Sequence, residues 1–156
     1  HRSSGRETHT ILVTPQGRPF SQEKARELSG KKAVLTLICG RYEGFDERLR
    51  SLVDEEISGG DFICMGGEVI TMTMIETISR LVPDVLGNQE SAVHESFTQP
   101  MLEFPQYTRP ASFEGMEVPE ELKSGNHKII AQWREEQALE RTKNRRPDLL
   151  QCKTKS

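Results

Sequence analysis

The chain has 156 residues, of which 34% are hydrophobic and 29% are charged, and its formal net charge is −3. A chain of this length and composition suits one modest core or a core with a small appendage. No apolar run approaches the ~20 residues that cross a bilayer, and no signal peptide opens the chain. The sequence therefore excludes a membrane protein and predicts no membrane partner.

Cysteine and histidine are too scattered to indicate a structural metal site. Cys39 and Cys64 lie in apolar runs, Cys152 lies near the end, and no CxxC pair occurs. The four histidines have no metal-ligand spacing either. This usage indicates a reducing, cytoplasmic setting without disulfides or structural zinc.

The charge is unevenly distributed along the chain. Residues 1–121 hold 12 Lys and Arg against 20 Asp and Glu, a net charge of −8, whereas residues 122–156 hold 9 against 4, a net charge of +5. The basic end is where we expect phosphate contacts. A solvated helical face explains the same pattern, and the pattern alone leaves both explanations open.

The first part of the chain predicts a strand, a helix and a second strand. Thr10–Val13 predicts a short strand that ends at a turn over Thr14–Gly17. Ser21 caps a helix over Glu23–Leu28, and a glycine follows its end. Val34–Cys39 has no polar alternation, which is typical of a strand buried on both faces. This order and spacing predict a parallel pair with a right-handed crossover.

The middle of the chain predicts a helix, a strand and another helix. Asp46–Val53 is predicted to be helical, with Leu49, Leu52 and Val53 on one side. Phe62–Met65 predicts another buried strand. Thr71–Val82 predicts the clearest amphipathic helix, ended by a proline, and its apolar face carries Met74, Ile75, Ile78, Leu81 and Val82.

Residues 88–110 contain three prolines and no clean periodicity, which is typical of a long linker. Beyond them, Pro119 starts a short helix that Gly125 closes. Asn126 caps a longer helix from His127 to about Lys143. The buried side of this longer helix is predicted to carry Ile129, Ile130, Trp133 and Ala138.

Glycines flank the two apolar runs at the centre of the chain. One glycine ends the first run, and a pair stands on each side of the second run, at positions 40, 59, 60, 66 and 67. Glycines at strand ends let backbone groups approach a flat polar ligand without a Cβ in the way. Two ordinary turns explain the same spacing, so on spacing alone the ligand site is one of two interpretations.

The sequence contains five distinctive blocks in a fixed order, namely GRYEGFDER from Gly40, VDEEISGGDF from Val53, GGE from Gly66, RLVPDVLGN from Arg80 and YTRPASFEGMEVPEELKSGNH from Tyr107. Together they resemble the bacterial tRNA guanine-N1 methyltransferases of TrmD type, in the SPOUT class. The resemblance extends from Ile11 to Leu150. In that family another strand and helix precede the Ile11 block, so the chain is expected to be truncated or partial.

The resemblance implies an α/β fold, with a parallel-sheet SPOUT domain that contains a deep trefoil knot. It also implies a small C-terminal helical domain joined by a flexible linker. On this basis residues 1–87 are the cofactor-binding domain, 88–110 the linker and 111–156 a basic tRNA-binding domain. The family forms homodimers with composite active sites, so a homodimer is expected.

The resemblance further implies S-adenosylmethionine as the methyl donor, held mostly by backbone contacts. Two positions depart from the family pattern: Phe62 stands where tyrosine is usual, and Ile70 stands where proline follows the GGE turn. If backbone groups hold the adenine, its binding should not require the tyrosine hydroxyl. The cofactor residues carried over from the family are Val13, Pro15, Gly40, Ser58, Gly59, Gly60, Asp61, Phe62, Ile63, Cys64, Gly66 and Gly67.

The implied reaction is methyl transfer to N1 of the guanine 3′ to a tRNA anticodon. Because N1 carries a proton, a base is needed, and Glu95 lies where the family has an aspartate in its linker. Arg80 matches the arginine that stabilises negative charge at the guanine O6. Glu43 matches a carboxylate near the methionine end of the cofactor, where magnesium is a candidate second cofactor. The tRNA-contacting residues implied are Tyr42, Ser91, Glu103, Lys123, Lys128, Arg134, Arg141, Arg145 and Arg146.

Three alternatives stay open at this point. His94 competes with Glu95 as the base, because imidazole titrates nearer neutrality. Glu43 has the alternative of a surface ion pair with Arg41 or Arg48. For the whole chain, the rival class is a non-catalytic RNA-binding module, which the basic terminus favours and which has no reason to bind a sulfonium.

Overall fold

The computed structural model describes residues 7–42, 44–85 and 95–151. Three residues singled out from the sequence, Glu43, Ser91 and His94, lie outside these described residues. The chain divides into two compact units, His1–Gly87 and Asn88–Ser156. The first unit is an α/β structure and the second is mainly helical. Within the described ranges, no helix is long and apolar enough to cross a membrane.

A three-stranded parallel sheet forms the centre of the first unit. Strand β1 (Thr8–Pro19) lies between β2 (Val34–Cys39) and β3 (Glu55–Ser58). The register of β1 on β2 runs from Thr8 opposite Val34 to Val13 opposite Cys39. The predicted parallel pair is therefore confirmed, with β2 at an edge of this sheet. Edge position explains why no residue of β2 is fully buried, contrary to the predicted burial on both faces.

Strand β1 leaves its ladder with β3 for four residues. Val13 and Arg18 both pair with Ile57, so residues 14–17 form an excursion from the strand. The predicted turn lies at this excursion, although the strand resumes after it and extends to Pro19. At Gly17 an added Cβ would lie 2.5 Å from the backbone N of Ile57. Only glycine allows the excursion to return this close to β3.

The prediction of a buried strand over Phe62–Met65 is wrong. The third strand is β3, seven residues earlier, and Phe62–Met65 is an exposed loop in which Met65 is 100% exposed. In β3, which pairs with β1, Ile57 and Ser58 are buried, and Ile57 packs in the core with side chains such as Leu28 of α1 and Met74 of α2. The apolar run after β3 has no strand partner, because the chain turns away from the sheet there.

Two helices pack on this sheet and complete its core. Helix α1 (Gln22–Ser29) confirms the predicted helix, and the hydroxyl oxygen of Ser21 accepts a hydrogen bond from the Lys24 backbone N–H at 3.2 Å. Helix α2 (Glu68–Ser79) begins three residues earlier than predicted and ends three residues earlier. The core comprises Ile11, Val13, Ala25, Leu28, Ile57, Met74 and Ile78.

The predicted apolar sides of two helices are only partly correct. On α2, Met74 and Ile78 are buried, whereas Ile75 is exposed together with Val82 beyond the helix end. The predicted helix over Asp46–Val53 is a 3₁₀ helix over Glu47–Leu52, which Asp46 caps. Leu52 is 75% exposed there. A 3₁₀ helix has three residues per turn, so the side chains fall on different sides from those of an α-helix.

A cluster of charged groups joins the other ends of β1 and β3 to α1. The Glu55 carboxylate accepts hydrogen bonds from the Lys24 ammonium at 2.6 Å and from His9 Nε2 at 2.6 Å. Partial burial raises the pKa of Glu55, but the hydrogen bonds and charges of Lys24 and His9 outweigh burial and lower it overall. Partial burial lowers the pKa of Lys24, but Glu55 and Glu27 raise it overall.

Replacing Glu55 by glutamine should make stability less sensitive to acid. A carboxyl group with a lowered pKa stabilises the folded state above its unfolded pKa, and this contribution disappears as the pH falls through the folded pKa. We expect Glu55→Gln to cost about 1–2 kcal/mol at pH 7 and clearly less at pH 3. Urea unfolding at both pH values measures this difference.

Glu23→Gln is the matched control, since Glu23 is an exposed carboxylate on the same helix as Lys24. It should change stability by only a few tenths of a kcal/mol at either pH. An equal destabilisation by Glu55→Gln at pH 3 and pH 7 would contradict the ionic role of this cluster.

The second unit begins with a short hairpin that the sequence did not reveal. Strands β4 (Ser112–Phe113) and β5 (Met116–Glu117) pair antiparallel, with Glu114 and Gly115 at positive φ between them. Its side chains Phe113 and Met116 are exposed. Because each strand has only two residues, no alternation was available to predict it.

The helices of the second unit confirm the predicted ones. Helix α3 (Glu120–Lys123) follows Pro119, and α4 (His127–Arg145) begins after Asn126, whose Oδ1 accepts from the Lys128 N–H at 3.0 Å. A last short helix, α5, spans Asp148–Gln151. Of the side chains predicted to be buried on α4, Ala138 is buried, Ile130 and Trp133 are half-buried, and Ile129 is exposed.

Residues 95–110, the described part of the predicted linker, contain no helix or strand. They nevertheless lie along α4 in the antiparallel direction. The Leu102 N–H donates to the Thr142 hydroxyl oxygen at 2.9 Å. The rings of Tyr107 and Trp133 lie 6.3 Å apart at an angle of 55°. These contacts give this irregular stretch a defined course on the helix.

Candidate functional site

A cavity of about 490 Å³ opens at the carboxyl ends of β2 and β3, beside the β1 excursion. Its lining comes from Val13 and the β1 excursion after it, from the segment after β2 and from the segment after β3. In open α/β sheets, ligands bind outside the carboxyl ends of the strands. The volume falls within the ~300–1,000 Å³ typical of small-molecule sites.

The structure brings nearly all of the predicted cofactor residues together around this cavity. They come from three separate segments of the chain, and of the twelve only Asp61 is not among the lining residues. Tyr42, predicted to contact the target base, also lines it. The predicted residues that line the cavity are Val13, Pro15, Gly40, Ser58, Gly59, Gly60, Phe62, Ile63, Cys64, Gly66 and Gly67.

The glycines of this cavity allow its walls to pack closely. An added Cβ at Gly59 would lie 2.7 Å from the Ile70 side chain, and one at Gly67 would lie 2.8 Å from the Cys39 Cβ. Contacts this short do not occur between real side chains. The sequence suggested that these glycines admit a ligand to the backbone, and close packing between the walls is a second, structural reason for them.

Hydrogen bonds join the wall after β2 to the wall before α2. The Gly67 N–H donates to the Gly40 carbonyl at 3.0 Å. Arg41 forms a bridge with Gly66, and its Nε donates to the Glu68 carboxylate at 2.5 Å. The hydrogen bond from Arg41 lowers the pKa of Glu68, and the same bond raises the pKa of Arg41. Together these contacts fix the spacing of the two walls.

A second set of polar residues supports the opposite wall, and the sequence did not reveal it. Arg50 donates from Nε to Glu47 at 2.8 Å and also donates to Glu56 and to Gln16. Arg50 thus links the 3₁₀ helix, strand β3 and the β1 excursion beside the cavity. The sequence did place Gln16 in a predicted turn, which marked it as a residue that could contact a ligand. It gave no sign of the contact with Arg50, because the two residues are 34 positions apart.

The structure places two of the three predicted catalytic residues, and they belong to different units. Arg80 is half-buried at the C-terminal end of α2, where its N–H donates to the Glu76 carbonyl at 3.1 Å. Glu95 begins the irregular stretch of the second unit, and its carbonyl accepts from the Thr98 N–H at 3.2 Å. The third residue, Glu43, falls in a gap between the described ranges.

Both arginines suggested as ion-pair partners for Glu43 contact other carboxylates. Arg41 pairs with Glu68, and Arg48 pairs with Asp46 at 2.5 Å. The hydrogen bonds from Arg48 lower the pKa of Asp46. As for magnesium, the described His, Cys, Asp and Glu side chains form no group of three or more suited to a metal ion. A magnesium ion near Glu43 therefore stays a prediction.

Most of the basic residues predicted to contact tRNA lie on or next to α4. Arg134, Arg141 and Arg145 are spaced by seven and four residues, which places them on one side of that helix. Lys128 lies in its first turn. Two others are ion-paired: Lys123 with Glu120 at 2.5 Å, and Arg146 with Asp148 at 2.7 Å.

A second cavity, of about 400 Å³, lies between this helix, α3 and residues 104–111. Arg134 and Lys123 line it, and the Arg134 guanidinium lies 4.6 Å from the centre of the Phe104 ring. The backbone N–H of Glu103, another predicted tRNA residue, donates to the Ser96 hydroxyl oxygen at 3.0 Å. Aromatic and cationic groups thus lie together in this part of the unit.

Comparison with known protein families shows to which family the chain with these cavities belongs. Residues 1–152 match the family model described as tRNA (Guanine-1)-methyltransferase TrmD. The chain belongs to this TrmD family. The membership confirms the resemblance seen in the five sequence blocks.

Several curated relatives, each described as a tRNA (guanine-N(1)-)-methyltransferase, are similar over most of this chain. The protein of Syntrophotalea carbinolica is 58% identical over 92% of the chain, and that of Symbiobacterium thermophilum is 59% identical over 96%. The protein of Staphylococcus haemolyticus is 58% identical over 92%. The matched region spans 58–60% of the length of these three TrmD relatives.

Proposed function

We propose that the protein transfers a methyl group from S-adenosylmethionine to N1 of the guanine 3′ to the anticodon of a tRNA. One observation carries the proposal. Residues from three separate segments, each predicted from the sequence to bind the cofactor, line a single cavity beside the β1 excursion and the ends of β2 and β3. Family membership gives this cavity its chemical assignment.

The chain's own residues suit the proposed cofactor. The lining combines apolar side chains such as Val13 and Ile70 with exposed backbone at the glycine segments, as a flat adenine with polar edges requires. Phe62 supplies an aromatic ring without a hydroxyl. When bound, S-adenosylmethionine supplies an activated methyl group on a sulfonium, so the protein has mainly to orient it and exclude water.

The proposed roles of the remaining residues follow from the acceptor. Guanine N1 must lose its proton, and we assign its removal to the Glu95 carboxylate. Negative charge that builds on O6 is stabilised by the planar guanidinium of Arg80. Glu43 and Tyr42 are assigned to the methionine end of the cofactor and to the target base. The base must leave its stack to reach them, which costs a few kcal/mol.

The tRNA is assigned to the second unit, with Ser91 and Glu103 as contacts beside the basic groups. In support, residues 122–156 carry a net charge of +5, and Arg134, Arg141 and Arg145 form one stripe on α4. A stripe of this kind contacts phosphates without reading base sequence. Sequence-dependent recognition of the anticodon is left to the groups near the methylated base.

The proposal has three further parts. The protein forms a homodimer with composite active sites, its first unit contains a trefoil knot, and it is located in the cytoplasm. Support for the dimer comes from the outer face of α2, where Val69, Met72 and Ile75 are exposed. Ile63 and Met65 beside the cavity are also exposed. Apolar side chains exposed together on one helix face are typical of protein interfaces. A second copy, with its own second unit, is the partner that the family implies.

The test combines three measurements on one preparation. Calorimetric titration should show binding of S-adenosylmethionine, and incubation with unmodified tRNA should incorporate labelled methyl at guanine N1. Sedimentation at micromolar concentration should show a dimer. Binding of tRNA without binding of S-adenosylmethionine would support the rival RNA-binding module and contradict the proposed function. A monomer with full activity would contradict only the proposed homodimer with composite active sites, and not the proposed methyl transfer.

A further inference from the structure

One buried hydroxyl group of the second unit joins Leu102 to α4. The Thr142 side chain is 0% exposed. Its Oγ1 donates to the Ala138 carbonyl at 2.6 Å and accepts from the Leu102 backbone N–H at 2.9 Å. A hydroxyl group has one proton to donate. Because Oγ1 donates that proton to the Ala138 carbonyl, Oγ1 acts as the acceptor for the Leu102 N–H. Leu102 is half-buried, so its N–H is partly shielded from water, and loss of the Thr142 acceptor would weaken the attachment of Leu102 to α4.

The attachment continues to Glu95 through the residues 95–103, here named the 95–103 loop. Glu103, the neighbour of Leu102, donates its N–H to the Ser96 hydroxyl oxygen at 3.0 Å. Glu95 is the neighbour of Ser96, and its carbonyl accepts from the Thr98 N–H. Two hydrogen bonds and two peptide links therefore connect α4 to the backbone of Glu95.

The loop also holds a conformation that a free segment would rarely adopt. Phe97 has a φ of +70°, in the left-handed region, although it is a bulky residue. Its N–H donates to the Met101 carbonyl at 3.0 Å. Backbone strain of this kind persists only where surrounding contacts enforce it, and it is concentrated at functional sites.

We propose that Thr142 is a positioning residue, which holds the 95–103 loop on α4 so that the Glu95 carboxylate is presented in one orientation. This inference rests on the proposed function, in which Glu95 takes the proton from guanine N1. Thr142 acts through the loop and does not itself touch the substrate. Its importance follows from geometry, because a general base works only within hydrogen-bond reach of its proton.

A bond from a threonine hydroxyl to the carbonyl four residues earlier is common in helices, and on its own it would not attach the loop to α4. On α2, Thr73 and Thr77 donate to the carbonyls four residues earlier at 3.0 and 2.7 Å. Thr142 makes the same bond and in addition accepts an N–H from a residue 40 positions away in sequence. Thr77→Val therefore removes the common helical bond alone and serves as the matched control.

The experiment compares Thr142→Val, Thr142→Ser and Thr77→Val in the full chain, with steady-state methylation of unmodified tRNA. We expect Thr142→Val to lower kcat by about tenfold or more, since small misplacement of a catalytic group is costly, while KM for S-adenosylmethionine stays unchanged. Thr142→Ser keeps the hydroxyl and should restore kcat. Hydrogen exchange should show lost protection of the Leu102 amide in Thr142→Val only.

Ser96→Ala provides a second variant that leaves α4 intact, and it should lower kcat in the same way. If Thr142→Val loses Leu102 protection but keeps full kcat, the positioning role is overturned while the proposed function stands. Equal loss of kcat in Thr142→Val and Thr77→Val would also overturn it. Wild-type protein that transfers no methyl group would overturn the proposed function, and this inference with it.

Discussion

Replacing Glu95 by glutamine should abolish methyl transfer while leaving the affinities for S-adenosylmethionine and tRNA nearly intact. Glutamine keeps the size and polarity of the side chain but cannot take up the proton from guanine N1. General base catalysis contributes about 10²–10⁴-fold to such reactions, so we expect a loss in that range. Single-turnover incorporation of labelled methyl into unmodified tRNA measures the chemical step apart from product release.

Two companion variants give this result its meaning. His94→Ala should keep most of the activity, because the histidine is the chemical alternative to Glu95 and not the assigned base. Arg80→Ala should lose about 10²-fold or more, as expected when a group that stabilises developing charge is removed. If Glu95→Gln has near-normal turnover and His94→Ala is inactive, the histidine and not Glu95 is the base that removes the proton.

Replacing Gly17 by alanine should destabilise the protein by about 3 kcal/mol and weaken binding of S-adenosylmethionine. The added Cβ would lie 2.5 Å from the Ile57 backbone N and 2.6 Å from the Glu56 carbonyl carbon. Because both contacts are with backbone in the neighbouring strand, no side chain can rotate away to relieve them. The excursion that carries Pro15 and Gln16 to the cavity would have to move instead.

Gly30→Ala is the control for this effect. Gly30 follows α1 with a φ of −83°, and an added Cβ there would meet only the Arg26 and Glu27 carbonyl oxygens, both at 3.7 Å. We expect a neutral or slightly stabilising change, since alanine limits the unfolded chain. Urea unfolding and calorimetric titration with S-adenosylmethionine measure both variants. Equal stability of Gly17→Ala and Gly30→Ala would contradict the close approach of β1 to β3.

The chemical assignment of the cavity came from the sequence, but its physical construction did not. The resemblance of the sequence to the family predicted twelve cofactor residues, of which eleven line the cavity. Nothing in that resemblance indicated that Arg50 contacts Gln16, or that Arg41 contacts Glu68, because these partners are 34 and 27 residues apart. The attachment of the 95–103 loop to Thr142 spans 40 residues and was equally hidden.

By itself, the sequence determined the features that depend on a few neighbouring residues. Ser21 and Asn126 cap helices because a short side chain reaches an N–H two or three positions ahead, whatever the rest of the fold does. The parallel pairing of β1 and β2 also followed, since a helix of that length between two strands permits little else.

Only the tertiary structure decided which apolar residues are buried. Phe62–Met65 has the composition of a core strand yet lies exposed, whereas Glu55–Ser58, with two carboxylates, forms the third strand of the sheet. Burial depends on what packs against a residue, and Ile57 packs in a core with side chains of β1, α1 and α2, namely Val13, Leu28 and Met74 among others. Composition measures the tendency of a segment to leave water, but the packing partner determines whether it can.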